Sequence, residues 1–218
     1  MAKHVSLPNV CRLLPVRLIT SHAGALTVVY MPQDVRLLTL LSLILTKEKQ
    51  KVIQEQFEKY ASAVNYVIKT VMTSHLANLR QTVEAVSEEF ARRYDARPEY
   101  LEDVVKTARA AIAQHRKLAR TIRSMRDRSP FFKPGRLILS PPIVKIDSDG
   151  IVLFTTKNET LPIPFDKHSR NKDIQVLRAL VDGKQQVGRI RLTWRKEGFL
   201  EITVRVLSDV QSPRRESA

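Results

Sequence analysis

The chain has 218 residues, 43% of them hydrophobic, enough for one sizeable domain or two small ones with a real core. Thirty-seven Lys and Arg against twenty-two Asp and Glu leave a formal net charge of +15. An excess of that size points to a polyanionic partner, because each phosphate neutralised releases condensed counterions. The single cysteine, Cys11, excludes an intrachain disulfide and a cysteine-rich zinc site and fits a reducing compartment, so a cytoplasmic location is expected. No run approaches the ~20 apolar residues of a spanning helix, and no membrane partner is expected.

The first thirty-four residues mix Lys3, Arg12 and Arg17 with Pro8 and Pro15. They carry neither a signal-peptide apolar block nor a clean amphipathic targeting helix, and are expected to be an extension without fixed order. Residues 35–46 read as the first strand of a β module. From Lys47 the pattern turns helical: Val52, Ile53, Phe57, Tyr60, Ala61, Val64, Val67, Ile68 and Val71 recur at steps of three and four, with Thr46 placed as N-cap and Glu48 in the first turn. A second helix is predicted over Leu76 to Tyr94, ended by Asp95-Ala96-Arg97-Pro98. A third runs from there to about Arg126 on the stripe Leu101, Val104, Val105, Ala108, Ala111, Ile112, Ala119, Ile122 and Met125.

After Ser129-Pro130 the runs become short, alternating and rich in β-branched residues. Strands are predicted at Leu137 to Leu139, Ile143 to Ile146, Ile151 to Thr155, Leu161 to Phe165, Val187 to Trp194 and Phe199 to Leu207. Turns are expected at Asp147-Ser148-Asp149-Gly150 and Arg195-Lys196-Glu197-Gly198, with glycine available for positive φ. Residues 208–218 read as a polar tail. The fold class is therefore α+β: an antiparallel, barrel-like β module of residues 35–46 and 129–207 with a three-helix block, residues 47–128, inserted in it. The isolated first strand needs a later strand as partner for its backbone groups.

Few motifs carry catalytic chemistry. His4, His22, His75, His115 and His168 are scattered without ligand spacing, and no phosphate loop, dinucleotide fingerprint or nucleophile elbow occurs. No metal site, no cofactor and no catalytic residue is predicted. The positive signal is cationic. Arg109, Arg116, Lys117, Arg120, Arg123, Arg126, Arg128, Lys133 and Arg136 face a single acid, Asp127, and steps of seven, four and three place Arg109, Arg116, Arg120 and Arg123 on one helix face. Guanidinium forks suit phosphate oxygens, so this face is a candidate backbone-binding surface. A second cluster, Arg189, Arg191, Arg195 and Lys196, surrounds Trp194. Strand alternation sets Arg189, Arg191 and Arg195 on one face, with Ile190, Leu192 and a core Trp194 on the other.

The opening strand Leu43-Ile44-Leu45-Thr46, the following Lys47-Glu48-Lys49-Gln50 and a helix bearing Tyr60 and Asn65 form one recognisable block. Gly188-Arg189-Ile190-Arg191-Leu192 and Glu197-Gly198-Phe199-Leu200-Glu201-Ile202-Thr203-Val204 form another. Over residues 35 to 207 this order resembles the N-terminal half of TnpB proteins, the OrfB products of insertion-sequence transposons and relatives of type V CRISPR effectors. The resemblance implies a wedge β-barrel interrupted by a helical recognition lobe that holds guide RNA and reads a short DNA motif. It implies nucleic-acid contacts for Gln50, Asn65 and Lys69 and RNA-backbone contacts for Arg189 and Arg191. Two departures stand out. Phe199-Leu200 replaces the usual aromatic pair, and neither a RuvC-like catalytic aspartate domain nor zinc-binding cysteine pairs occur in these 218 residues.

The expectation is thus a basic, non-catalytic nucleic-acid-binding protein. Its partner would be a structured, guide-like RNA, with target DNA and a separate nuclease subunit as further candidates. Two alternatives stay open: the recognition subunit of a split nuclease, and a plain RNA-binding module unrelated to transposons.

Overall fold

The computed structural model describes residues 16–20, 26–30, 34–157 and 159–208. Most of the expected extension and tail, residues 1–15 and 209–218 among them, lies outside these. Within the former, β1 (Val16–Thr20) and β2 (Leu26–Tyr30) pair as an antiparallel hairpin where no element was expected. The rest is α+β, with antiparallel sheets.

The first strand of the main sheet, β3 (Asp34–Leu41), puts Leu38 and Leu40 inward and leaves Leu37 60% exposed. Three helices follow. In α1 (Lys47–Thr73) the Thr46 side chain accepts from the Lys49 N–H, and Ile53, Phe57, Tyr60, Val64, Val67 and Val71 line the buried face. Asn78 caps α2 (Leu79–Arg93), which buries only Thr82, Val86 and Phe90. Pro98 opens α3 (Pro98–Thr121), where a missing N–H costs nothing. This helix ends five residues before the predicted Arg126. Its last buried residue is Ile112, and beyond it the stripe of Ala119, Ile122 and Met125 finds no wall among the described residues to pack against. Without tertiary packing the helical turns are not sustained, and Ile122 leaves helical geometry at φ −110, ψ 109, ahead of a single 3-10 turn at Arg123–Met125.

The β module contains β4 (Arg136–Leu139), β5 (Val144–Ile146), β6 (Gly150–Phe154), β7 (Thr160–Pro164), β8 (Gln186–Trp194) and β9 (Leu200–Ser208). They form two antiparallel sheets, ordered β3-β9-β8-β4 and β5-β6-β7. The first strand does recruit the last: Leu38 faces Val204 and Leu40 faces Ile202 across the ladder. The sheets meet where Ser42 bridges Phe165, and no closed barrel forms among the described residues. Two short helices, α4 (Lys167–Lys172) and α5 (Ile174–Val181), interrupt the module where no element was expected. The first of them satisfies the end of β3: the Ser169 Oγ accepts from the Leu41 N–H at 2.9 Å, and the Asp166 N–H donates to the Leu41 carbonyl at 2.8 Å. Gly198 takes the positive φ expected of its turn, +89. Gly150 does not; it is needed because a Cβ there would lie 2.4 Å from the Ile163 carbonyl oxygen.

A buried hydroxyl chain fastens the helical block to the main sheet. The Tyr60 O–H donates to the Ile138 carbonyl at 3.0 Å, which leaves Thr107 Oγ1 as donor to the Tyr60 oxygen at 2.8 Å. The Tyr60 ring packs edge-on against Tyr100 and Phe132. Burial drives the Tyr60 hydroxyl far above the ordinary phenol range, against the lowering effect of its bond to Thr107. Tyr60→Phe removes the middle of the chain and strands two buried polar groups. It is expected to destabilise the fold by about 1–3 kcal/mol in urea unfolding.

Candidate nucleic-acid interface

The structure sorts the sequence-predicted site residues into two populations. The first is consumed by the fold. Gln50 donates its Nε2–H to the Leu45 carbonyl at 2.7 Å beneath Gly198, where an added Cβ would lie 2.9 Å from that nitrogen. Asn65 clamps the backbone of Phe132 from both sides, donating to its carbonyl at 2.9 Å and accepting from its N–H at 2.8 Å. Arg109 donates to the carbonyls of Leu76 and Ala77 and to Thr82 Oγ1, and so fixes the connection between α1 and α2. Arg195 pairs with Glu201. Asn65 and Arg109 hold segments distant in sequence together, while Gln50 and Arg195 make local contacts.

Arg189 joins them. A bulge between Val187 and Ile190 disturbs the alternation of β8, so Ile190 and Leu192 face the core as expected and Trp194 is half-buried beside Phe57, while Arg189 turns toward α3. Its Nη1–H donates to Thr107 Oγ1 at 3.5 Å, close to the fully buried Asp103. Asp103 accepts from both the N–H and the Oγ–H of Ser140. Burial raises its carboxyl above the usual range, opposed by the Ser140 hydrogen bonds and by the charges of Arg189 and Lys106.

The second population is turned outward. Lys69 is exposed on α1. From residue 113 to residue 129 no side chain is buried, and the stretch holds Arg116, Lys117, Arg120, Arg123, Arg126 and Arg128 against one acid, Asp127. Among the described residues none of the six pairs with a carboxylate. Arg126 donates its Nε–H to the Ala119 carbonyl at 3.1 Å, a cation at the negative end of α3. The predicted single helix face is corrected: Arg109 is consumed, Arg116 and Arg120 lie one turn apart in α3, and Arg123 lies past the break at Ile122. The cations form an arm of helix end and turn. Arg116 also borders a hollow of about 310 Å³ with His75, Met72 and Arg109.

Lys133 and Arg136 continue the arm to β4, an edge strand of the main sheet, Arg136 lying 5.4 Å over the Phe132 ring. Across that sheet the ladder aligns Arg136 with Thr193 and Ile138 with Arg191. Arg191 donates to Thr203 Oγ1 at 3.3 Å and stays exposed, as does Lys196 in the following turn. Arg205, opposite Leu37 on β9, adds an exposed cation that the sequence pattern alone did not single out. Its alternation with Thr203 and Glu201 was the available signal. Among the described residues no three His, Cys, Asp or Glu side chains gather as a metal-binding set, and no helix is long and apolar enough to cross a membrane. No protein-family model matches the chain, and no curated protein matches it.

The buried carboxylate generates a pH test. A raised carboxyl pKa in the folded state contributes stability that is present below the ordinary aspartate value, about 3.9, and is lost as pH climbs through the raised one. Asp103→Asn can accept from the Ser140 N–H while donating to its Oγ. The urea midpoint of the variant is expected to fall less than that of the parent chain between pH 4 and neutrality.

Proposed function

We propose that the chain is a nucleic-acid-binding protein without a catalytic centre of its own, gripping a phosphate backbone along the arm from Arg116 to Arg136. One observation carries this reading: six cations on a stretch with no buried side chain, beside one acid and, among the described residues, with no carboxylate partner. Held in water, these charges repel one another and contribute nothing to the core. Their repulsion is relieved by a polyanion, whose released counterions supply the binding free energy. The exposed Arg191, Arg205 and Lys196 offer the same polymer a second contact on the sheet.

The order of elements, one strand, three helices and then the strands that pair with it, supports reading this as the recognition half of a TnpB-type, RNA-guided system. On that reading the ligand is a structured guide-like RNA, with target DNA engaged alongside it and the chemistry supplied by a separate chain.

Substituting Arg116, Arg120 and Arg123 together by Gln is expected to weaken binding across all sequences. The slope of log affinity against log salt should flatten by about two to three units, since each phosphate contact contributes about 0.7–0.9. Thermal stability should move by less than about 0.5 kcal/mol, as for other exposed substitutions. Arg109→Gln should do the reverse, lowering stability and leaving the salt slope unchanged. An unaltered slope in the triple variant would place the binding face elsewhere.

A further inference from the structure

We propose that Phe131 is a stacking platform for an unpaired base, so that the cationic arm takes single-stranded nucleic acid, or the unpaired part of a folded one, in preference to a closed duplex. This rests on the nucleic-acid-binding reading and names the form of its ligand.

Phe131 is 68% exposed and is the one aromatic among the exposed large hydrophobic side chains of the described residues. A phenylalanine left in water forfeits the burial free energy that the residue ordinarily contributes. Nor is the position slack. Pro130 before it is buried. Phe132 after it is 6% exposed, has both backbone groups held by Asn65, and sets its ring 5.8 Å from that of Tyr60. With both neighbours fastened to the core, the ring of Phe131 is held outward by the fold.

Its electrostatic setting completes the site. Arg128, Lys133 and Arg136 lie within five residues, and no acid occurs between Asp127 and Asp147. A phosphate backbone drawn along the arm therefore arrives at an exposed aromatic face. In a duplex each base is already stacked on its neighbours, whereas an unpaired base has a face to offer. Cations tracking the backbone beside a ring that takes a base is how proteins bind single strands without reading sequence.

The test compares two fluorescently labelled probes of equal length, an oligonucleotide without secondary structure and a blunt duplex, titrated with the full chain and with Phe131→Ala and Phe131→Trp. The alanine variant is expected to lose about 5- to 150-fold in affinity for the single strand and little for the duplex. The tryptophan variant should keep single-strand affinity, and its fluorescence should be quenched on binding beyond the change shown by Trp194 alone in the parent chain. Urea unfolding should be unchanged in both. Equal losses on the two probes, or no loss on either, would overturn the stacking role while leaving the cationic interface standing. Failure of the parent chain to bind either probe would overturn both.

Discussion

The ladder between β3 and β9 ties residues 34–41 to residues 201–208, and so closes the chain around everything between them. The apolar alternation of β3 directs it there: Leu38 and Leu40 enter the same core as Val204 and Ile202 across the ladder, and its backbone groups require a partner strand. Once that ladder forms, the helices emerge from one end of β3 and must return to β4 on the far side of the same sheet. The buried chain through Tyr60 and Thr107 to Ile138 fixes where they land. The arm from residue 113 to residue 129 is the part of that return with no wall beneath it, and its exposure follows from where the ladder and the buried chain set its ends.

That geometry separates cations that build the fold from cations that face solvent. Arg97 donates to Asp95 and to the carbonyls of Phe154 and Thr155, Arg109 to the loop after α1, Arg189 to Thr107. Each donates to oxygens of the fold itself, several of them buried or half-buried. The arm cations have no such employment. Six cations against one acid make residues 113–129 locally far more basic than the chain as a whole. Phe131 stands between Arg128 and Lys133, beside a neighbour, Phe132, whose backbone Asn65 clamps.

Much of the fold was legible because local signals agreed with tertiary packing. Thr46 and Pro98 mark helix starts as capping chemistry requires, and the six later strands were placed within two residues of their observed ends. The misses have physical causes. α4 has no apolar periodicity at all, and its part in satisfying the end of β3 is a long-range fact. α5 is eight residues with Leu177 and Leu180 buried, too short a run for spacing to separate helix from strand. The predicted extension of α3 to Arg126 followed a stripe that was real in sequence and unpartnered in space. The candidate site suffered from the same limit. The arm was legible as a density of charge, but composition could not show that Gln50, Asn65, Arg109 and Arg189 were committed to contacts reaching 5 to 82 residues along the chain.

On the proposed reading, nucleic acid lies along the arm from Arg116 to Arg136. Ultraviolet crosslinking of the intact chain to the nucleic acid that copurifies with it, followed by mass spectrometry of the adducts, tests this most directly. Adducts are expected to concentrate on the segment from residue 116 to residue 136, with a lesser set on β8 and β9. Adducts confined to other parts of the chain, or a purified protein that carries no nucleic acid and crosslinks to none supplied, would contradict it.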